Sequence, residues 1–126
     1  MLEIERLRRM LMEAGIPFDF EKHAVIAGWQ LSYPANTVKE RICSVIQGER
    51  SYGGRDNKLE IAGLLTDEER EGDDVAGWLT AEDVFDRIKR HWEAHHEEAQ
   101  TPQGVYEIYK GISVERISCS IVLILT

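Results

Sequence analysis

Cys43-Ser-Val-Ile-Gln-Gly-Glu-Arg-Ser-Tyr-Gly-Gly-Arg-Asp-Asn-Lys-Leu-Glu-Ile-Ala-Gly-Leu-Leu65 is the stretch on which the fold turns. Two apolar segments flank a polar loop. Leu59, Ile61 and Leu65 alternate with other residues, which favours a strand over a single helical turn. The segment 41–47 reads as the strand before it. The loop between them carries far more chemistry than a turn requires. Glycines at 48, 53 and 54 let the backbone turn tightly and bring its N–H groups against a ligand. Arg50 and Arg55 suit a bidentate grip on phosphate, and Lys58 adds a third positive charge. Tyr52 offers a ring on which a base can stack, while Ser51 and Asn57 add hydrogen-bonding groups. Arg50, Ser51, Tyr52, Gly53, Gly54, Arg55, Asn57 and Lys58 are therefore the candidate ligand-binding residues. The competing reading is an ordinary solvated turn. The loop matches neither the Walker pattern nor the Gly-x-Gly-x-x-Gly dinucleotide fingerprint.

Working outward, residues 2–14 form a helix in which Ile4, Leu7, Leu11 and Ala14 share one stripe. Gly15 and Pro17 end it. Residues 24–33 read as a strand, and the turn Pro34-Ala-Asn-Thr37 returns the chain antiparallel into 41–47. Thr66–Asp74 reads as an acidic loop and Val75–Leu79 as a short strand. Thr80 caps a second helix running to about Glu98, with Asp83 three residues on as a variant capping box. Its apolar stripe is Val84, Phe85, Ile88, Trp92 and His95. Val105–Tyr109 is strand-like. Ile117–Leu125 is almost wholly apolar, so both faces of that strand need cover, and a homo-oligomer interface would supply one.

These elements predict an α+β fold. One domain over residues 1–126 holds an antiparallel sheet of four to six strands covered by two amphipathic helices. The expected core includes Leu7, Leu11, Ile26, Val45, Ile61, Val84, Phe85, Ile88 and Ile121.

The 126 residues have a formal net charge of −8, which argues against direct binding to nucleic acid phosphates. Residues 67–98 hold twelve acids and four bases, so the excess lies there. Asp73, Asp74, Asp83 and Asp86 could imitate a row of phosphates and block a basic protein that handles nucleic acid, and with Glu82 they are the carboxylates an acid catalyst would draw on. They could equally form a solvated face. As catalytic carboxylates of a small hydrolase they would need a cleft and a fixed separation. No nucleophile with a matching base stands out, and the reading leans away from an enzyme. His91 and His95 lie four apart on one helical face, with His96 beside them, but His-Glu-x-x-His is not met. Favourable interaction with a helix C-terminus explains the histidines without metal. No metal or other cofactor is implied. Cys43 and Cys119 sit in apolar runs as free thiols. The chain opens directly into a charged helix, so no signal peptide is expected. No apolar run reaches the ~20 residues that span a bilayer. Cytoplasm is the expected location, without a membrane partner.

The segment Ser51–Leu65, followed by Asp73-Asp-Val-Ala-Gly-Trp-Leu-Thr-Ala-Glu-Asp-Val-Phe-Asp-Arg-Ile88, resembles small uncharacterised proteins of Firmicutes phages and prophages. The likeness covers roughly residues 41–92. It implies a phage protein working in the host cytoplasm, of a size often used against host defence. One such class is the anti-Thoeris or anti-CBASS sponge, a non-enzymatic oligomer that sequesters a nucleotide immune signal. No binding residue of that class maps onto this chain.

Overall fold

The structure, a computed structural model, describes residues 1–100, with side chains through His95. The expected strands 105–109 and 117–125, together with Cys119 and Ile121, lie outside the described residues. Contacts divide the chain after Lys89, and each side is taken by itself.

The order in the first unit is α1 (Glu3–Ala14), β1 (Asp19–His23), β2 (Gly28–Tyr33), β3 (Cys43–Gly48), a 3-10 turn (Gly54–Asp56), β4 (Leu59–Ala62), α2 (Asp67–Gly72), β5 (Val75–Leu79) and the start of α3 (Ala81–Gln100). The strands form one antiparallel meander in sequence order, β1-β2-β3-β4-β5. The α+β reading is correct, with five strands among the described residues. No helix among them is long and apolar enough to cross a membrane.

Residues on β3 alternate between buried and half-buried, so one face of the sheet is the core face. Register places Leu31, Val45 and Ile61 side by side across β2, β3 and β4. Helix α1 packs on β2 and β3 through Ile4, Leu7 and Leu11, all fully buried. Val84 and Ile88 of α3 are fully buried as well. Each such side chain contributes about 1.5–3 kcal/mol on leaving water. Phe85, expected in the core, is only half-buried.

Several boundaries differ from the sequence reading, among them the strand expected over 41–47, which runs Cys43–Gly48. The strand expected over 24–33 begins at Gly28, because Ala24–Ala27 is a turn in which Ala27 takes φ 53°. That turn joins β2 to a strand the sequence did not reveal, Asp19–His23. Its charged residues suit an edge, where they discourage pairing with another chain. The strand expected over Leu59–Leu65 stops at Ala62, since Gly63 and Leu64 adopt positive φ and turn the chain. The acidic loop Thr66–Asp74 contains a helix. Thr66 accepts from the Glu69 N–H while the Glu69 carboxylate accepts from the Thr66 N–H, a complete capping box.

Helix α3 starts as expected, with Thr80 Oγ1 accepting from Asp83 N at 3.1 Å. The Asp83 carboxylate itself accepts from Arg87 Nε four residues on, at 2.7 Å.

Candidate functional site

The loop from Gly48 to Lys58 is held by its own residues. Ser51 is buried, and its Oγ both accepts from Gly48 N and donates to Gly48 O, each at 2.9 Å. Gly54 lies so close over Gly48 O that a Cβ there would overlap it. Gly53 has φ 91° and its backbone abuts Trp78, so a side chain would be both strained and obstructed. Asn57, in left-handed backbone, accepts at Oδ1 from Glu3 N (2.9 Å) and from Gln47 Nε2 (2.6 Å). Gln47 Oε1 accepts from Ile4 N at 2.8 Å. Helix α1 begins after Leu2, which supplies no side-chain cap. Asn57 and Gln47 thus satisfy the N–H groups that a capping residue would otherwise serve.

The loop presents an aromatic pair. Opposite β4, β5 carries one extra residue between Ala76 and Leu79, a β-bulge. Within the bulge Trp78 takes φ 56°, an uncommon backbone for a residue of this bulk. Its N–H donates to Tyr52 O at 3.3 Å. The Trp78 and Tyr52 rings stack with centroids 5.9 Å apart and planes 12° from parallel. Trp78 is 59% exposed and Tyr52 50%. Trp78 Nε1 donates to Asp56 Oδ2 at 3.0 Å, which fixes the indole's rotation. Tyr52 N donates to Glu60 Oε1 at 2.7 Å. The result is an extended apolar platform open to solvent, with a carboxylate at its edge.

The sequence-predicted residues divide in their placement. Tyr52, Gly53 and Gly54 shape the platform. Arg55 is exposed beside Asp56. Arg50 turns away, donating to Val25 O at 3.3 Å. Lys58 lies toward the start of α3. The Glu82 carboxyl there is held below its ordinary range chiefly by hydrogen bonding to Arg6, with Lys58 a minor contributor. Ser51 and Asn57 spend their hydrogen bonds on the chain itself. Trp78, the largest exposed surface of the platform, was not among the predicted residues. Its only signal was a lone tryptophan after Gly77 in a short apolar segment.

The acidic region carries internal pairing. Glu82 pairs with Arg6, and Arg87 donates to Glu69, to Asp83 and to Leu64 O. The Arg87 guanidinium holds the Glu69 carboxyl down at about 2. Asp73 follows α2 and accepts from Asp74 N at 2.6 Å. In the second unit, the His91 and His95 rings stack at 4.0 Å, and His95 Nδ1 lies 2.9 Å from His91 O. Burial and then the neighbouring His95 lower the His91 pKa. The side chain of His96 lies outside the described ones. Among the described residues no group of three or more His, Cys, Asp or Glu could hold a metal ion. Burial pushes the Cys43 thiol up to about 12, so it is unreactive near neutral pH.

Comparison with protein-family models, with curated proteins and with solved structures finds no match to this chain.

Proposed function

We propose that this chain is a non-enzymatic binding protein that sequesters a small phosphorylated nucleotide on the Tyr52–Trp78 platform. The observation that carries this reading is an exposed tryptophan in left-handed backbone, stacked on an exposed tyrosine. More than half of the Trp78 surface stays in water, where it adds nothing to the stability of the fold. Strained residues of this kind cluster at ligand sites, where the surroundings hold them for use. A base stacked on such a ring gains about 1–3 kcal/mol whatever its sequence identity. Arg55, exposed on the 3-10 turn, is the loop cation offered to phosphate, since Arg50 is turned to Val25 O and Lys58 lies toward Glu82. The resemblance of residues 41–92 to phage and prophage proteins extends the proposal to an anti-defence protein that removes a nucleotide immune signal in the host cytoplasm. The apolar run Ile117–Leu125 supports a homo-oligomer. The alternative of an acidic inhibitor is weakened at Asp83, whose carboxylate is paired with Arg87 within the fold.

Calorimetric titration with cyclic dinucleotides and cyclic ADP-ribose isomers tests the reading, using the parent and Trp78→Ala. Binding by the parent and its loss in the variant are expected. Absence of heat with any of them, from folded and unliganded protein, refutes sequestration of those signals.

A further inference from the structure

We infer that the platform selects guanine among the bases, with Asp56 reading the base edge; this rests on the nucleotide reading above. The indole of Trp78 offers a stacking surface and its Nε1 donates to Asp56 Oδ2 at 3.0 Å. The bond holds Oδ2 at the rim of the ring near the indole plane, and Oδ1 is the oxygen left to reach the edge of a base stacked above. An ionised carboxylate accepts through both oxygens, with about four lone-pair positions. One indole N–H and the Asp56 backbone, whose N–H is committed to Gly53 O at 3.0 Å, leave most of that capacity for a ligand. Among the described residues, no second donor to the Asp56 carboxylate accompanies the indole. Asp56 is exposed, as is Arg55 before it.

Guanine fits this rim by its chemistry. Its N1–H and N2–H₂ are adjacent donors on one edge, a match for a carboxylate. Adenine offers its N6–H₂ beside the N1 lone pair, which would face a carboxylate oxygen and be repelled. A contact that takes both donors of guanine and repels the adenine N1 lone pair separates the two bases by roughly fivefold or more. Arg55, exposed on the same 3-10 turn as Asp56, offers a cation for the phosphate of the same ligand. The turn is fixed by Gly53 and by the docking of Asn57 on α1, so the reading group does not have to be ordered by the ligand.

The test is equilibrium binding of GMP and AMP to the full chain, followed by tryptophan fluorescence and by calorimetry. Asp56→Asn and Trp78→Ala serve as variants, each checked for folding by its urea melt. Asn keeps an acceptor for the indole N–H but presents an amide N–H₂ to the base, so its loss of selectivity reports on the base contact alone. The parent should bind GMP at least fivefold more tightly than AMP. Asp56→Asn should bring the two to near equality, and Trp78→Ala should weaken both. A parent preference below fivefold, a preference for AMP, or a GMP preference that survives in Asp56→Asn overturns the guanine assignment and leaves nucleotide binding standing. Failure of the folded, unliganded parent to bind either mononucleotide overturns the guanine assignment, and the nucleotide reading falls with it only when the cyclic ligands also give no heat.

Discussion

Replacing Trp78 by glycine and by alanine should give stabilities in an unusual order. Both substitutions remove the same ring. With 59% of the residue exposed, roughly 80 Å² of it is withdrawn from water, about 2 kcal/mol at ~25 cal/mol per Å². Both also lose the stack on Tyr52 and the bond to Asp56. Those losses cancel when the two variants are compared, and the backbone remains. At φ 56° an alanine meets its own carbonyl, at a cost of roughly 1–2 kcal/mol, whereas glycine meets nothing. In an ordinary strand the order reverses, because glycine there is worse than alanine by about 0.5–1 kcal/mol. Trp78→Gly should therefore be more stable than Trp78→Ala by about 1 kcal/mol. Urea melts at neutral pH with a common slope measure the difference. An alanine variant equal to or more stable than the glycine variant would refute the left-handed bulge, and with it the argument that the chain tolerates strain to present the ring.

Three further outcomes are expected. Gln47→Ala should cost about 2–3 kcal/mol, since it strands the Ile4 N–H and releases Asn57; at about 4–8 °C per kcal/mol for a domain of this size, thermal melts will resolve it, and a shift below 3 °C would mean that α1 starts without this cap. Glu69→Gln should be less stable than the parent at pH 7. With the Glu69 carboxyl held at about 2 against ~4.3 when unfolded, its contribution is complete above the unfolded value and disappears as pH falls toward 2, so the gap should close over that window and a constant gap would rule the linkage out. Light scattering at micromolar concentration should return a multiple of 14.4 kDa, and a clean monomer mass would remove Ile117–Leu125 from any role in assembly.

Where one residue type carries the signal, the sequence was sufficient. Helix α1 follows from its stripe and from Gly15, and α3 from Thr80. The pairing of β2 with β3 follows from apolar segments separated by a turn, and β5 follows from the short apolar segment Val75–Leu79. Where position in space carries the signal, it was not. Strand β1 has charged residues and earns its place only by lying on the edge of a sheet that other strands build. Helix α2 was legible in Thr66 and Glu69, and was obscured by reading a run of acids as solvated loop. The loop was correctly singled out, yet the division of labour inside it was hidden. Nothing local distinguishes Arg50, aimed at Val25 O, from Arg55. Trp78 joins Tyr52 across 26 positions through a bulge that no periodicity announces.

The loop's order follows from where its polar groups go. Eleven residues with three glycines would lose roughly 1–2 kcal/mol of backbone entropy per residue on being fixed by a ligand. Here the fixing is done beforehand. Asn57 bonds the α1 N-terminus, Gln47 reaches both Asn57 and α1, and Glu3 carries the connection on by accepting from Ala81 N at 2.7 Å at the start of α3. The groups that cap two helices are thus the same groups that hold the platform still. Their contribution appears in folding rather than in binding, so a variant such as Asn57→Ala should weaken ligand affinity without touching the ligand. That effect separates a preorganised site from a flexible hairpin loop. In a flexible loop, Asn57→Ala would leave affinity unchanged so long as Tyr52, Arg55 and Trp78 remained.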